Sequence, residues 1–114
     1  MRILVTGGAG YIGAAVARRL RAAGHDVAIV DDLSGGHREA VEGFELAVGD
    51  FSDPHVVGPL LARAPTEGIV HMAAHCLVGE SVQEPAKYYE NNVTRSLALL
   101  ALASAHGVGR FVFS

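Results

Sequence analysis

Three glycines near the start of the chain have the spacing of a turn that accommodates a phosphate group. Gly7, Gly10 and Gly13 follow a short apolar run at residues 3–5 and precede a segment with helical periodicity. Because such glycines lack side chains, the backbone turns tightly, a pyrophosphate can approach and the helix packs on the strand. The free N–H groups and the dipole at the start of the helix then favour an anion. A structural turn is the alternative, but this position between strand and helix favours a nucleotide site.

A carboxylate follows the next predicted strand, residues 27–30. Asp31 lies eighteen residues after Gly13. In dinucleotide-binding folds an acid about 20 residues beyond the glycine turn accepts hydrogen bonds from the adenosine ribose and repels a 2′-phosphate. The sequence therefore predicts NAD rather than NADP as the cofactor. A role as a helix cap or turn acid is the alternative for both Asp31 and Asp32.

Further candidates stand where later strands give way to loops. Asp50 follows a predicted strand at residues 45–48 and is placed to accept a hydrogen bond from an adenine amino group, with a simple turn role as the alternative. Ala73 and Ala74 follow a predicted strand at residues 68–71. Their small side chains leave space for a ligand that crosses the topological switch point of the sheet.

Two histidines and one cysteine in the same region could suggest other chemistry. His71 and His75 have the i, i+4 spacing of zinc ligands on a helix, but the Glu of an H-E-x-x-H motif and a third ligand are missing from the sequence. We therefore predict no metal site. Cys76 is the only cysteine, and we interpret it as an ordinary loop or core thiol. A single cysteine offers no disulfide framework and indicates a reducing compartment.

The elements that must position these residues alternate between strands and helices. Apolar runs predict five strands, the last at residues 110–114. A connection from one strand through a helix to the next strand is right-handed and makes the two strands parallel. Ile12, Val16 and Leu20 recur every four residues and predict the buried face of the first helix. The fold class is α/β, a Rossmann-type doubly wound parallel sheet of about five strands in the order 3-2-1-4-5, with helices on both faces in three layers.

The later helices have recognisable start signals. Asp53-Pro54 is typical of a cap and first turn. Residues 81–84 have the S-x-x-E form of a capping box ahead of a long helix at residues 85–106. Its second half, residues 97–103, is apolar around the whole circumference, so we expect one face to cover the sheet and the other to meet another helix, from this protein or a partner subunit. Its first half carries Asn91 and Asn92, for which a solvated face is the alternative to a site.

Composition excludes several classes of protein. The chain has 114 residues, half of them hydrophobic, which is enough for one domain with a real core. Nine basic and twelve acidic residues give a net charge of −3 without charge runs, so we predict no nucleic-acid partner. The longest apolar stretch is far shorter than the roughly 18 residues of a membrane span, and Met1-Arg2 leads directly into a strand with no room for a signal peptide. We expect a cytoplasmic protein without a membrane partner.

Several stretches along the whole chain resemble the extended short-chain dehydrogenase/reductase family and, within it, the UDP-glucose 4-epimerase branch. The opening V-T-G-G-A-G-Y-I-G and the N-N-V at residues 91–93 are typical of the extended family, whereas V-G-E-S-V-x-x-P-x-x-Y-Y-x-N-N-V at residues 78–93 is more specific to the epimerases. The resemblance implies tight NAD binding, oxidation of the C4 hydroxyl of a UDP-hexose to a ketone, rotation of the sugar and return of the hydride to its other face. It also implies a homo-oligomer formed through the helix at residues 85–106.

The resemblance also implies roles for individual residues along the cofactor. They run from the pyrophosphate (Gly7, Gly10, Tyr11, Ile12, Gly13) through the adenosine side (Asp31, Asp32, Ser34) and the adenine (Asp50, Phe51) to the middle of the cofactor (Met72, Ala73, Ala74) and its nicotinamide end (Asn92). Two departures from the family are Asp32, where epimerases usually have Asn, and Cys76, where they often have a basic residue that contacts cofactor and substrate.

The family's catalytic pair has no counterpart in these 114 residues. The general base is the Tyr of a Y-x-x-x-K motif, but Lys87 is the only lysine and Gln83 stands four residues before it. We therefore assign no catalytic residue and interpret residues 1–114 as the NAD-binding portion of an epimerase, without the catalytic Tyr and Lys and the lobe that binds the UDP-sugar. The alternatives are a stand-alone module that binds or senses NAD, an inert fragment, or a part of another nucleotide-sugar dehydratase or epimerase of the extended family.

Overall fold

The computed structural model describes residues 1–74 and 77–114. In these residues five parallel strands form one sheet in the order β3-β2-β1-β4-β5. The strands are β1 (Arg2–Thr6), β2 (Asp26–Asp31), β3 (Glu45–Val48), β4 (Gly68–His71) and β5 (Arg110–Phe113). The predicted strand order and doubly wound architecture are thereby confirmed. Because the order reverses between β1 and β4, the carboxyl ends of these two strands flank the crevice in which such sheets bind ligands.

The helices alternate with the strands along the chain. They are α1 (Tyr11–Ala22), α2 (Pro54–Arg63), α3 (Val78–Gln83), α4 (Pro85–Tyr89) and α5 (Arg95–Ala105), with a 3₁₀ turn at Arg38–Val41 and a π-helical segment at Glu90–Thr94. The π segment joins α4 to α5, so the long helix expected at residues 85–106 is present but contains an irregularity. π-Helical turns inside α-helices occur frequently at functional sites.

Two apolar clusters hold the helices against opposite faces of the sheet. On one face Leu4 of β1 and Ile69 of β4 lie in a cluster with Val57 of α2 and Leu99 of α5, all of them buried. On the other face Val5 lies in a cluster with Ala17 of α1 and with residues of the 3₁₀ turn. Side chains of β1 to β4 alternate between the two clusters, as the pleat requires. The result is the predicted three-layer arrangement.

The buried face of α1 differs in part from the predicted one. Ile12 is exposed, whereas Gly13, Ala14 and Ala17 are buried and Leu20 packs, partly buried, against the same cluster as Ala17. The helix packs through its small residues because its first turn continues directly from the glycine turn and lies close to β1. The four-residue apolar period was therefore misleading at Ile12 but not at Leu20, because close approach of backbones near the glycine turn buries small residues there instead of large ones.

The capping box predicted at residues 81–84 is also wrong. Ser81 lies inside α3, and its hydroxyl donates a hydrogen bond to the Val78 carbonyl at 2.7 Å. Pro85 occupies the first turn of α4, as expected. The other predicted start signal is confirmed, since the Asp53 carboxylate accepts a hydrogen bond from the His55 backbone N–H at 2.8 Å and caps α2.

Candidate functional site

The three glycines of the first turn meet different surroundings. Gly7 has φ of +67°, and a Cβ there would lie 2.8 Å from the Ala73 backbone. A Cβ at Gly13 would lie only 2.1 Å from the Gly7 carbonyl oxygen. A Cβ at Gly10 would meet only that same oxygen, at 3.4 Å, which is ordinary contact. The fold itself therefore requires glycine at 7 and 13, whereas the protein's own packing leaves room for a side chain at Gly10.

The first turn of α1 presents donors to the space above the sheet. Gly10 is the N-cap residue, and among the described residues no side chain caps it or places an acid in the first turn. Tyr11 and Ile12 are exposed, and the Ala14 N–H begins the helical pattern with the Gly10 carbonyl at 2.9 Å. Within the described residues, the N–H groups of Tyr11, Ile12 and Gly13 are thus available to an anion, which the helix dipole also favours.

Asp31 is buried at the end of β2 and joins two loops. Its Oδ2 accepts a hydrogen bond from the Ala9 backbone N–H at 2.9 Å, and its Oδ1 accepts one from the Leu33 N–H at 2.8 Å. With respect to the described residues, each oxygen keeps a lone pair for a further donor. Next to it, the exposed Asp32 accepts hydrogen bonds from the backbone N–H and the hydroxyl of Ser34 at 2.9 and 2.7 Å. The acidic pair therefore shapes the loop as well as offering acceptors.

Asp50 and Phe51 follow β3 at the same edge of the sheet. The Asp50 Oδ1 accepts hydrogen bonds from the Ser52 N–H and hydroxyl at 2.8 and 2.7 Å. Its Oδ2 lies 3.2 Å from Nη1 of Arg95 on α5. Phe51 is buried and meets the His71 ring edge-on, with the centroids 4.7 Å apart. Because its side chain belongs to the core, only the main chain of Phe51 can contact a ligand.

A buried polar group connects the ends of β1 and β4 with α5. The Thr6 hydroxyl lies 2.6 Å from His71 Nδ1, and His71 Nε2 lies 2.7 Å from the Ser96 hydroxyl. The Thr6 oxygen also accepts hydrogen bonds from the backbone N–H groups of Met72 and Ala73 at 3.2 and 3.3 Å. One threonine thus fixes the backbone that leaves β4 toward the crevice.

Burial lowers the pKa of His71 to about 4. The ring is 3 % exposed and lies against Phe51, Phe111 and Phe113. Charging the ring would remove an ion from water, so the imidazole stays neutral at physiological pH. One ring nitrogen therefore donates and the other accepts within this cluster.

An open cavity of about 200 Å³ lies above this cluster. Ala73 and Ala74 line it from the end of β4 and Asn92 from the π segment, together with His71 and Ser96. A second cavity, of about 340 Å³, opens between the first turn of α1 and the loop after β2, beside Gly10 and Tyr11. The two cavities lie on either side of the strand-order reversal.

The structure brings most of the predicted site residues to one edge of the sheet. Met72 differs, because its partly buried side chain packs into the core cluster around Val5. Asn92 is held by its neighbour, whose Nδ2 donates to the Asn92 Oδ1 at 2.9 Å. His75 and Cys76 lie outside the described residues. Within residues 1–74 and 77–114, no group of three His, Cys, Asp or Glu side chains could hold a metal ion.

Sequence reasoning missed three residues of this site. Thr6 and Ser96 complete the His71 cluster, and Arg95 joins Asp50 to the long helix. A signal existed for Thr6, a polar residue at the carboxyl end of an otherwise apolar strand beside the switch point. No signal existed for Arg95, because its contact is made across the sheet edge by a residue far along the chain.

None of the helices in the described part of the chain has the length and apolar content needed to cross a membrane.

A family model, the NAD dependent epimerase/dehydratase family, matches residues 3–114. The chain belongs to this family. This agrees with the resemblance seen in the sequence motifs.

Similar proteins cover the whole chain but are much longer. UDP-glucose 4-epimerase of Corynebacterium glutamicum is 50% identical over 115 residues, which are 100% of this chain and 34% of that protein. The epimerase of Rhizobium meliloti is 46% identical over 98% of this chain and 34% of its own length. The chain therefore spans about a third of the length of these relatives.

Solved structures of epimerases have the same fold. UDP-glucose 4-epimerase from Bifidobacterium longum in complex with NAD+ and UDP superposes with a TM-score of 0.95 and 32% identity, over 100% of this chain and 36% of that one. The enzyme from Stenotrophomonas maltophila with bound NAD and formylated UDP-arabinopyranose gives a TM-score of 0.94 and 35% identity, over 99% and 36% of the two chains.

Proposed function

We propose that this chain binds NAD as the cofactor-binding portion of a UDP-glucose 4-epimerase, an isomerase that interconverts UDP-glucose and UDP-galactose. The observation that carries the proposal is the uncapped first turn of α1 beside the buried Asp31. Donors for a pyrophosphate and acceptors for a ribose lie together at the carboxyl edge of the sheet, as dinucleotide binding requires. The names of the similar proteins support the choice of cofactor and reaction.

The proposed cofactor site runs along this edge from α1 to the long helix. The backbone of the glycine turn holds the pyrophosphate, the loop after β2 holds the adenosine ribose, the loop after β3 holds the adenine, and the end of β4 with the π segment lines the nicotinamide half. The residues in that order are Gly7, Gly10, Tyr11, Ile12 and Gly13; Asp31, Asp32 and Ser34; Asp50 and Phe51; Met72, Ala73 and Ala74; and Asn92.

Membership of the family suggests which parts of the reaction involve the residues of this chain. NAD, when bound, supplies a reversible hydride acceptor for the C4 position of the hexose. The residues of this chain bind and orient the cofactor, and the neutral His71 cluster supports the backbone beside its nicotinamide half. Proton transfer belongs to a Tyr-Lys pair that these 114 residues do not contain. We therefore expect the 114-residue chain to bind NAD without turning over UDP-galactose.

Calorimetric titration with NAD and NADP tests the cofactor assignment. We expect NAD to bind and NADP to bind at least about tenfold more weakly, because a 2′-phosphate would approach the buried Asp31 carboxylate. Asp31→Ser should narrow this preference, whereas the matched variant Asp26→Ser, at the far end of β2, should retain it. Equal affinity for NAD and NADP, or no heat with either, would contradict the assignment.

Turnover of UDP-galactose tests whether the 114-residue chain binds NAD without catalysing epimerisation. The purified 114-residue chain should show no epimerisation at any NAD concentration, and a longer protein that continues into a Y-x-x-x-K motif should show it. Reproducible epimerisation by the pure 114-residue chain would refute the proposed absence of a catalytic base. NAD binding together with inactivity of the longer protein would instead favour a module that senses NAD.

We further propose that the protein is cytoplasmic and forms a homo-oligomer through the helix at residues 85–106. A single cysteine in the sequence supports a reducing compartment. Tyr89, Val93, Leu97 and Leu100 support the oligomer, because they are large, exposed and repeat along one side of the long helix.

A further inference from the structure

Arg95 bridges two parts of the proposed cofactor site that are distant in the sequence. It is the first residue of α5, immediately after the π segment that carries Asn92. Its Nη1 lies 3.2 Å from Asp50 Oδ2, and its Nε lies 3.5 Å from Glu90 Oε1 at the start of the π segment. The guanidinium group therefore joins the loop after β3 to both ends of the π segment.

The surroundings of Asp50 determine which of its oxygens can meet a ligand. Oδ1 already accepts two hydrogen bonds from Ser52, which use both of its lone pairs. Oδ2 accepts from Arg95 and, among the described residues, keeps one lone pair for another donor. An adenine amino group can therefore be accepted only at Oδ2, the oxygen that the guanidinium group holds.

We infer that Arg95 is a positioning residue for the adenine, acting through Asp50. This inference rests on the proposed binding of NAD. With its direction fixed by Arg95, the remaining lone pair of Oδ2 accepts a hydrogen bond from the amino group at C6 of adenine. A base that carries a carbonyl oxygen at C6, such as hypoxanthine, would present an acceptor to this lone pair, and no hydrogen bond could form between the two. Arg95 thereby contributes to selection of the adenine base.

A structural role for Arg95 makes a different prediction. If the ion pair only ties α5 to the loop after β3, its loss should lower stability and weaken binding of every dinucleotide by the same factor. A positioning role should change the ratio between two dinucleotides that differ only at C6. The two roles are therefore separated by a ratio of affinities.

The test compares binding of NAD and nicotinamide hypoxanthine dinucleotide to the 114-residue chain. The unaltered chain should prefer NAD. Arg95→Ala should weaken NAD binding about threefold to tenfold, as expected for loss of one part-exposed charged contact, and reduce the preference for adenine by a similar factor. Arg95→Lys should restore part of the preference, because the ammonium group can reach Asp50 but cannot bridge to Glu90 with the same geometry. Arg110→Ala, at the opposite end of the sheet, is the matched control and should change neither affinity.

A double-mutant cycle adds a second test. The measured quantity is the ratio of the affinities for NAD and nicotinamide hypoxanthine dinucleotide. If Arg95 acts through Asp50, the effects of Arg95→Ala and Asp50→Asn on this ratio should overlap rather than add. Additive effects, or an unchanged ratio in Arg95→Ala, would overturn the inference while leaving NAD binding intact. Absence of NAD binding by the unaltered chain would overturn the proposed function itself and this inference with it.

Discussion

The three glycines of the first turn serve different purposes at the scale of single residues. Gly7 and Gly13 are fixed by backbone contacts, one at positive φ against Ala73 and the other against the Gly7 carbonyl. Gly10 meets no comparable neighbour. The fold therefore does not require glycine here, and the proposed NAD site accounts for it through the approach of a pyrophosphate to the backbone.

Alanine substitutions separate these purposes. Gly13→Ala should lower the free energy of unfolding by about 2–3 kcal/mol, because its Cβ would overlap a backbone oxygen that cannot move freely. Gly10→Ala should change it by less than about 0.5 kcal/mol yet weaken NAD binding at least about tenfold. Urea unfolding and calorimetric titration measure the two quantities. Normal NAD affinity in a folded Gly10→Ala variant would show that the ligand does not approach this turn.

The sequence predicted which residues lie at the site better than it predicted the groups to which they form hydrogen bonds. The spacing of Gly7, Gly10 and Gly13 and the position of Asp31 follow local rules that a strand, a turn and a helix impose on a short segment. The hydrogen bonds of Asp31 to Ala9 and Leu33 do not follow from such rules. They depend on how two loops meet in space, and only the assembled sheet decides that.

At the scale of elements, the His71 cluster is the polar connection between β1, β4 and α5. Thr6, His71 and Ser96 form one buried chain of hydrogen bonds. Because every polar atom in such a chain needs its partner, removing one member costs more than a surface hydrogen bond would. The cluster therefore fixes the position of α5 relative to the crevice, in addition to the apolar packing around Leu99.

The low pKa of His71 makes stability depend on pH. In the folded protein this pKa is about 4, whereas in the unfolded chain it is about 6.5. Between these values the unfolded state binds a proton that the folded state does not, so stability falls as the pH decreases from 6.5 toward 4 and the loss is complete below both values. This residue alone should lower the free energy of unfolding by about 2 kcal/mol between pH 7 and pH 5.

Urea unfolding at the two pH values measures this contribution. His71→Gln should be less stable at pH 7, and its loss of stability on going to pH 5 should be smaller than that of the unaltered chain by about 2 kcal/mol. His55→Gln, at an exposed position in the first turn of α2, should show the same pH dependence as the unaltered chain. Equal pH dependence of all three proteins would contradict a neutral, buried His71.

Prediction of whole elements succeeded where local signals agreed and failed where tertiary packing decided. The strands and the cap at Asp53 follow from apolar runs and turn chemistry. The buried face of α1 does not, because contact with the glycine turn outweighs the apolar period that includes Ile12. The π segment at Glu90–Thr94 inserts an irregularity into a sequence with ordinary helical periodicity, and no residue type in it marks that change.

At the scale of the whole molecule, the apolar side chains exposed in the described residues include two surfaces suited to association. The first is the helical stripe of Tyr89, Val93, Leu97 and Leu100, in which Leu97 is 61% exposed. The second is the free edge of β5, in which Val112 is 58% exposed. In the proposed homo-oligomer the helical stripe would pair with a second copy of itself in a closed dimer, whereas an open strand edge recruits chains less specifically.

Charged substitutions on each surface should therefore have different effects in analytical ultracentrifugation. Leu97→Glu should convert a dimer into a monomer, because the carboxylate would lose its water at the centre of the stripe. Ala98→Glu, exposed on another side of α5, is the matched control and should leave the dimer intact.

Val112→Lys should remove species larger than the dimer and leave the dimer itself, since a lysine on an edge strand discourages further pairing of strands. If Leu97→Glu remains dimeric while Val112→Lys becomes monomeric, the strand edge rather than the long helix holds the copies together. A chain without either substitution that stays monomeric at high concentration would contradict association through both surfaces.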